Sequence, residues 1–246
     1  MPSFNECAAE NLRSLAANRY PGRGIVLGRS EDGAAWLQLY WIMGRSANSR
    51  NRRFVAEGSR LRTVPLDPAR MQQPELVIYT AMDELDGHHV VTNGDHTDTV
   101  LQALRAGKDY RAALRTRSHE PDPPHHTPRI AGGLRAPEGD AWLAIVKADP
   151  AHTAEPGRSL RAYYEFEALV PGTGWCITTY AGDGDPLPNF QGEPLALPLE
   201  GPPEALLAAF WQLLDAQNRV ALALKTIDVA GGRARLRIVN ARDRAE

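Results

Sequence analysis

The amino-acid sequence predicts an α+β fold in which stacked β-sheets are flanked by helices. Segments rich in β-branched and alternating apolar residues outnumber segments with helical periodicity. The predicted helices also fall into separate groups along the chain, whereas a doubly wound parallel sheet alternates strands and helices regularly. A length of 246 residues lies within the range of one large domain, so residues 1–246 are predicted to form a single domain.

The first half of the chain is predicted to contain a helix at 6–17 followed by two hairpins. Each hairpin has a polar turn with glycine, Glu31-Asp32-Gly33 in the first and Asp86-Gly87 in the second. The hairpin strands are predicted at 24–28 and 34–43, and at 75–80 and 89–92.

A helix is predicted to begin near Thr97 or Thr99, because Thr99 and Gln102 have capping-box spacing, and to end at Gly107. Four prolines indicate an extended loop at 119–129. The unbroken apolar run 142–146 is typical of a strand covered on both faces. The other predictions are strands at 162–169, 175–180, 220–227 and 234–239, a loop at 182–198 and a helix at 204–214.

The composition is that of an ordinary globular protein and excludes several function classes. The net charge of −2 and the absence of a long apolar run argue against binding to nucleic acid or membrane. The two cysteines form no metal or redox motif, which indicates a reducing compartment, and the N-terminus does not resemble a signal peptide. We therefore expect a cytoplasmic protein.

A local run of basic residues contrasts with the slightly negative net charge of the whole chain. Six arginines and one acid lie between Arg45 and Arg62, and serine and asparagine (Ser46, Asn51) alternate with arginine in the part from Gly44 to Arg53. Three interpretations compete: a solvated basic surface, a nucleic-acid contact and a small phosphate site. Small residues allow close backbone approach, and guanidinium groups bind phosphate in forked geometry. We favour the phosphate site.

Three further loops carry residues that suit a binding site. The turn Tyr20–Gly24 holds Arg23, the segment Thr92–Thr99 leads into a helix N-terminus, and the third loop spans His125–Ile130. Each also has a purely structural interpretation, as a tight turn, a helix cap or a proline loop. No metal-ligand spacing occurs among their histidines and acids.

Together these segments resemble the archaeal-type IMP cyclohydrolase family. The matching stretches are Tyr20–Gly24, Gly44–Arg52, Val91–Asp98 and Thr127–Gly132, in family order, with a looser match at Tyr180–Glu193 and around Lys225. The resemblance implies a four-layer αββα sandwich like that of the N-terminal nucleophile hydrolases, with two mainly antiparallel sheets between helical layers. It also implies closure of 5-formamidoimidazole-4-carboxamide ribotide to IMP with loss of water, a step of purine biosynthesis. This reaction requires no cofactor and no metal.

The resemblance also suggests residue roles. Proton transfer is assigned to Tyr79 and Glu120 and oxyanion stabilisation to Lys225, with a core tyrosine and a solvated loop acid as competing interpretations of the first two. The catalytic candidates are Tyr79, His96, Glu120 and Lys225. The candidates for binding a purine ribotide are Arg23, Arg45, Ser46, Asn51, Arg52, Asn93, Gly94, Asp95, Thr97, Thr127 and Arg129.

Two other functions stay open at this point. One is a protein that binds a purine ribotide without converting it, and the other is an amidohydrolase of the same fold with a serine or cysteine nucleophile. Cys7 falls in a predicted helix and Cys176 in a predicted strand, so neither is expected to be an exposed nucleophile. The sequence also leaves assembly into a homo-oligomer open.

Overall fold

Two antiparallel β-sheets stack face to face in the computed structural model, which describes residues 3–152 and 158–242. The strands are β1 (Gly24–Arg29), β2 (Ala35–Met43), β3 (Arg52–Glu57), β4 (Arg60–Pro65), β5 (Thr80–Leu85), β6 (His88–Thr92), β7 (Arg129–Arg135), β8 (Ala141–Ala148), β9 (Ser159–Phe166), β10 (Thr173–Thr178), β11 (Leu195–Pro198), β12 (Arg219–Asp228) and β13 (Ala234–Asn240). The six-stranded sheet has the order β11-β10-β1-β2-β12-β13, and the seven-stranded sheet has the order β3 to β9.

The longer helices cover the outer faces of the sheets, whereas two four-residue helices lie at the end of the sandwich. The helices are α1 (Phe4–Ala17), α2 (Ala47–Arg50), α3 (Pro74–Val77), α4 (His96–Arg105), α5 (Tyr110–Arg115) and α6 (Pro203–Leu213), with 3₁₀ turns at Pro68–Arg70 and Pro150–His152. Among these helices of the described residues, none is both long and apolar enough to cross a membrane.

The alternating side chains of β2 show why both faces of the six-stranded sheet are buried. Tyr40 and Ile42 pack between the two sheets, while Leu39 and Trp41 point to the other face, where they join Phe210 of α6. A third apolar cluster joins α4 and α5 to the outer face of the seven-stranded sheet. The layers are therefore helix, sheet, sheet, helix, which confirms the predicted fold class. The likeness to N-terminal nucleophile hydrolases stays an expectation.

Both predicted hairpins form, but the strand predicted at 75–80 is wrong. Pro74–Val77 is a helical turn and β5 begins only at Thr80, because proline at the first helical position has the φ angle that a helix needs. Strands β3 and β4 lie within 52–65, where the sequence predicts no strand, and β11 lies in the predicted loop 182–198. Polar side chains on one face mask the strand pattern of β3 and β4, where burial alternates.

Candidate active site

A cavity of about 350 Å³ opens at the end of the sandwich where β2 ends and β1 and β3 begin. Its walls come from the turn before β1, the start of the basic run, helix α3, the proline loop before β7 and the loop after β10. Six of the residues predicted for the site line this cavity: Arg23, Arg45, Ser46, Arg52, Glu120 and Thr127. The volume lies in the range of small-molecule sites.

A buried ion pair forms part of the wall. Arg23 Nη1 donates to Glu120 Oε2 at 3.1 Å, and the two side chains are 10% and 3% exposed. Glu120 is therefore not a solvated loop acid. Burial raises the pKa of Glu120 above its ordinary value, although the Arg23 charge opposes the rise. No described residue hydrogen-bonds Glu120 Oε1, so this oxygen is left for a ligand or a proton.

Gly22 sets the position of Arg23. Its φ of +74° is accessible to glycine, and a Cβ there would lie 2.2 Å from Thr179 Oγ1 and 2.5 Å from the Tyr180 ring. The same threonine hydroxyl accepts a hydrogen bond from the Arg23 backbone N–H at 3.1 Å. The tight turn predicted from Pro21 and Gly22 thus delivers the guanidinium to the cavity wall.

The basic run contributes two guanidinium groups to the cavity. Arg52 is 2% exposed and is fixed through Nε to Ser49 O and through Nη2 to Met43 O. Arg45 is more exposed and pairs with Asp183 at 2.7 Å. Ser46 and Ser49 bond to each other in a capping box at the start of α2. The run is therefore a folded strand–helix connection with two of its arginines directed to the cavity.

A hydrogen-bond chain occupies another part of the wall. The Thr127 hydroxyl donates to the carboxylate of Asp122 and accepts from the Tyr180 hydroxyl at 2.6 Å. Burial raises the pKa of Tyr180, which keeps this phenol protonated. Asp122 and Tyr180 were not among the predicted site residues. In the sequence, Asp122 is an acid between two prolines, and Tyr180 is a tyrosine near the end of a strand. Neither pattern by itself points to a site.

Tyr79 lies behind the ion pair. Its hydroxyl is 2.7 Å from the Tyr40 hydroxyl, and both rings are buried between the sheets. Burial, and then the proximity of Tyr79, raises the pKa of Tyr40, while the Arg23 charge opposes the rise. The cavity lining includes neither tyrosine. Tyr79 thus lies near Arg23 without forming part of the surface that a ligand would contact.

A second group of predicted residues is organised around β7 and the start of α4, outside the cavity lining. The Asn93 side chain bonds Pro128 O and Ile130 N, and His96 Nε2 lies 3.0 Å from Ile130 O. Asp95 pairs with Arg129 at 2.8 Å. The Thr97 hydroxyl bonds that of Thr92, and a Cβ on Gly94 would meet Arg129. These contacts fix the loop that carries Thr127.

His96 is held neutral in this group. Burial, and next to it the positive charge of Arg129, lowers the pKa of His96 to about 3. Its Nε2 therefore carries the proton donated to the Ile130 carbonyl. Both ring nitrogens are engaged, since Nδ1 lies 3.4 Å from Arg129 Nη1. The structure does not bring His96 to the cavity.

Lys225 and Asn51 also lie outside the cavity lining. Lys225 is fully buried in β12 and donates to Glu84 Oε2 at 2.7 Å. Asn51 brackets the backbone of Asp67, with bonds to its carbonyl and its N–H. These two contacts are internal to the fold. The family match around Lys225 and the polarity of Asn51 predicted a site, but sequence cannot show which neighbour satisfies a polar group.

A metal site and a cysteine nucleophile find little support in the described part of the chain. No group of three or more histidine, cysteine, aspartate or glutamate side chains there could hold a metal ion. Cys176 is fully buried, and burial raises the pKa of its thiol, which opposes a thiolate nucleophile. Cys7 lies in α1, outside the cavity.

The comparisons with known proteins agree on one family. The model of the IMP cyclohydrolase-like protein family matches residues 20–232. An IMP cyclohydrolase of Halobacterium salinarum is 34% identical over 134 residues, 53% of this chain and 64% of that protein. Those of Methanosphaera stadtmanae and Methanothrix thermoacetophila are 28% and 29% identical, over 65% and 70% of this chain and 73% and 80% of their own lengths.

The alignment therefore spans just under two thirds of the Halobacterium protein and more of the other two. The family match covers the whole cavity lining, from Tyr20 to Leu187. The chain belongs to the IMP cyclohydrolase-like protein family.

Proposed function

We propose that this protein is an IMP cyclohydrolase, which closes 5-formamidoimidazole-4-carboxamide ribotide to IMP with loss of water in purine biosynthesis. The observation that carries the proposal is one cavity in which three guanidinium groups face a buried carboxylate. A phosphorylated substrate with two carbonyl groups needs cations for the phosphate and a donor for a developing oxyanion. The names of the relatives support the same activity.

Phosphate binding is assigned to Arg45 and Arg52, with Ser46 beside them. Arg52 is preorganised by its two backbone bonds, and its buried Nη1 has no partner among the described residues. Arg45 forms an exposed pair with Asp183, donates to Gly184 O at 3.0 Å and lies over the Tyr20 ring. Its exposed ion pair is weak and easily exchanged for phosphate. The rigid arginine would set the position of the ribotide, and the exposed one would close over it.

Ring closure is assigned to Arg23 and Glu120. The carboxamide nitrogen attacks the formyl carbon, a C–N bond forms, and the formyl oxygen receives the proton that this nitrogen loses and becomes a hydroxyl. The hydroxyl departs as water with the formamide N–H proton, which is released when the C=N bond forms. Arg23 would stabilise charge on that oxygen. Glu120, with its raised pKa and its free Oε1, would pass the carboxamide proton to the formyl oxygen and then carry the formamide proton to the departing hydroxyl. Atoms balance as ribotide to IMP plus one water.

The role of the cavity shape is to hold the reacting groups together. Because both partners belong to one molecule, fixing the reactive rotamer supplies part of the acceleration. The Asp122–Thr127–Tyr180 chain provides a rigid polar wall for the base or the ribose. We propose a cytoplasmic location as well, since the substrate is a charged metabolic intermediate.

The direct test incubates the purified protein with the formylated ribotide and follows IMP. We expect turnover without added metal. Binding of the ribotide without IMP would identify a non-catalytic binding protein, and release of formate would identify an amidohydrolase. Either result would overturn the proposal.

Phosphate recognition has its own test. The double variant Arg45→Gln/Arg52→Gln should weaken binding of IMP by at least about 10-fold and leave inosine binding unchanged, because each charged hydrogen bond contributes about 1.5–3 kcal/mol. Arg53→Gln is the matched control, since Arg53 belongs to the same run but not to the cavity lining. Equal loss for nucleotide and nucleoside would remove the phosphate assignment.

A further inference from the structure

Four arginines surround a second, smaller cavity on the far side of the basic run. We name it the outer arginine cavity, after Arg50, Arg52, Arg219 and Arg242. It has a volume of about 190 Å³ and lies where β12 begins, β13 ends and α2 passes into β3. None of the described residues that line it is acidic.

The charges of this cavity are not paired with carboxylates in the part of the chain that the structure describes. Within residues 3–152 and 158–242, none of the four guanidinium groups forms an ion pair. Asp215 is near in sequence, but its carboxylate accepts from the backbone N–H groups of Gln217 and Asn218. Four like charges around one cavity repel each other, and a bound anion would relieve that repulsion.

Three of the four guanidinium groups are also held in place, whereas that of Arg242 is exposed. Arg50 donates to Gly44 O at 2.7 Å and to Asn218 Oδ1 at 3.2 Å. Arg219 donates to Trp211 O, and its guanidinium carbon lies 4.5 Å from the centre of the Trp211 ring. Arginines of a solvated surface lack such anchoring. The three anchored side chains have already lost conformational entropy in the folded state, which favours ligand binding.

We propose that the outer arginine cavity binds the phosphate group of a small phosphate monoester. Its volume corresponds to about six water molecules at roughly 30 Å³ each, enough for the phosphate. A neighbouring cavity of about 830 Å³ shares Arg50 and Arg242, and it gives room for the rest of the ester. This site is separate from the proposed active site, which it touches only through Arg52.

Equilibrium dialysis at constant ionic strength tests the proposal, with inorganic phosphate and ribose 5-phosphate as probes. We expect two sites per chain in the wild-type protein and one in Arg219→Gln/Arg242→Gln. The control is Arg13→Gln/Arg105→Gln, which removes the same charge from exposed positions on α1 and α4 and should keep both sites. Tighter binding of ribose 5-phosphate than of inorganic phosphate identifies the monoester as the ligand.

A second variant covers the case in which Arg219→Gln disturbs the Trp211 contact. Arg242→Gln alone changes an exposed side chain, and it should weaken the second site by at least about 10-fold. Equal binding by the wild type, both variants and the control would overturn the proposal. The count of sites does not depend on turnover, so a protein that forms no IMP would still give a clear result.

Discussion

Replacement of Glu120 by glutamine tests the assigned proton transfer most sharply. Glu120→Gln keeps the size of the side chain and an oxygen for Arg23, but it removes the negative charge and the titrating group. General acid–base groups contribute about 10²- to 10⁴-fold, so we expect kcat for IMP formation to fall by that factor. KM should change much less, because the phosphate contacts come from other residues.

The same change also lowers stability. At 3.1 Å and an effective dielectric constant of about 20, the attraction between Arg23 and Glu120 is about 5 kcal/mol. Removing one partner of a buried pair typically costs about 3–5 kcal/mol, within a total stability of about 5–15 kcal/mol. We therefore expect a clear drop in Tm, and kcat has to be measured well below the Tm of the variant.

A matched control separates the two effects. Glu84 forms an ion pair of 2.7 Å with the buried Lys225, away from the cavity, so Glu84→Gln should lower the Tm and leave kcat within about twofold. If Glu120→Gln retains full kcat while it is folded, the carboxylate moves no proton in the reaction. If Glu84→Gln loses kcat as strongly, the effect comes from general destabilisation.

Three further predictions concern His96, Gly22 and Cys176. The folded-state pKa of His96, about 3, lies below the ordinary 6.5, so only the unfolded chain takes up this proton as the pH falls below 6.5. Urea titrations should show that the free energy of unfolding of the wild type decreases as the pH is lowered from 6 to 4. In His96→Gln the slope should be smaller by about 1.4 kcal/mol per pH unit. Equal slopes would refute this. Gly22→Ala should cost more stability than Gly58→Ala, since both have positive φ but only Gly22 is crowded, and equal losses of about 1–2 kcal/mol would contradict the clash. Cys176→Ala should keep kcat, and loss of turnover in a folded variant would revive the thiol nucleophile.

The layered fold was predictable because most of its strands carry strong apolar patterns. The runs around β2, β8 and β12 are almost continuously apolar, as strands buried on both faces must be. Strand β3 is the edge strand of the seven-stranded sheet and β4 is its neighbour, and the arginines and other polar residues of both strands conceal the alternation. Local sequence patterns therefore predicted the buried strands of the sandwich but not the polar strands at the edge of the seven-stranded sheet.

The site was predictable in its composition and less so in its arrangement. Arg23, Arg52 and Glu120 are brought together by the fold, although 97 residues separate the first from the third. By contrast, Asn93 and His96 form hydrogen bonds with backbone groups of the loop. In the sequence, a polar residue near a helix N-terminus fits this structural role and a ligand-binding role equally well. Whether a polar side chain serves a ligand or its own backbone depends on tertiary contacts.

The fate of the formyl oxygen tests the central claim most directly. The purified protein is given ribotide labelled with ¹⁸O in the formyl group, and the label is traced by mass spectrometry. Ring closure as proposed here yields unlabelled IMP and one labelled water per turnover. Labelled formate would indicate hydrolysis of the formamide, and ribotide recovered unchanged would indicate binding without chemistry. Either of these results would contradict the assignment.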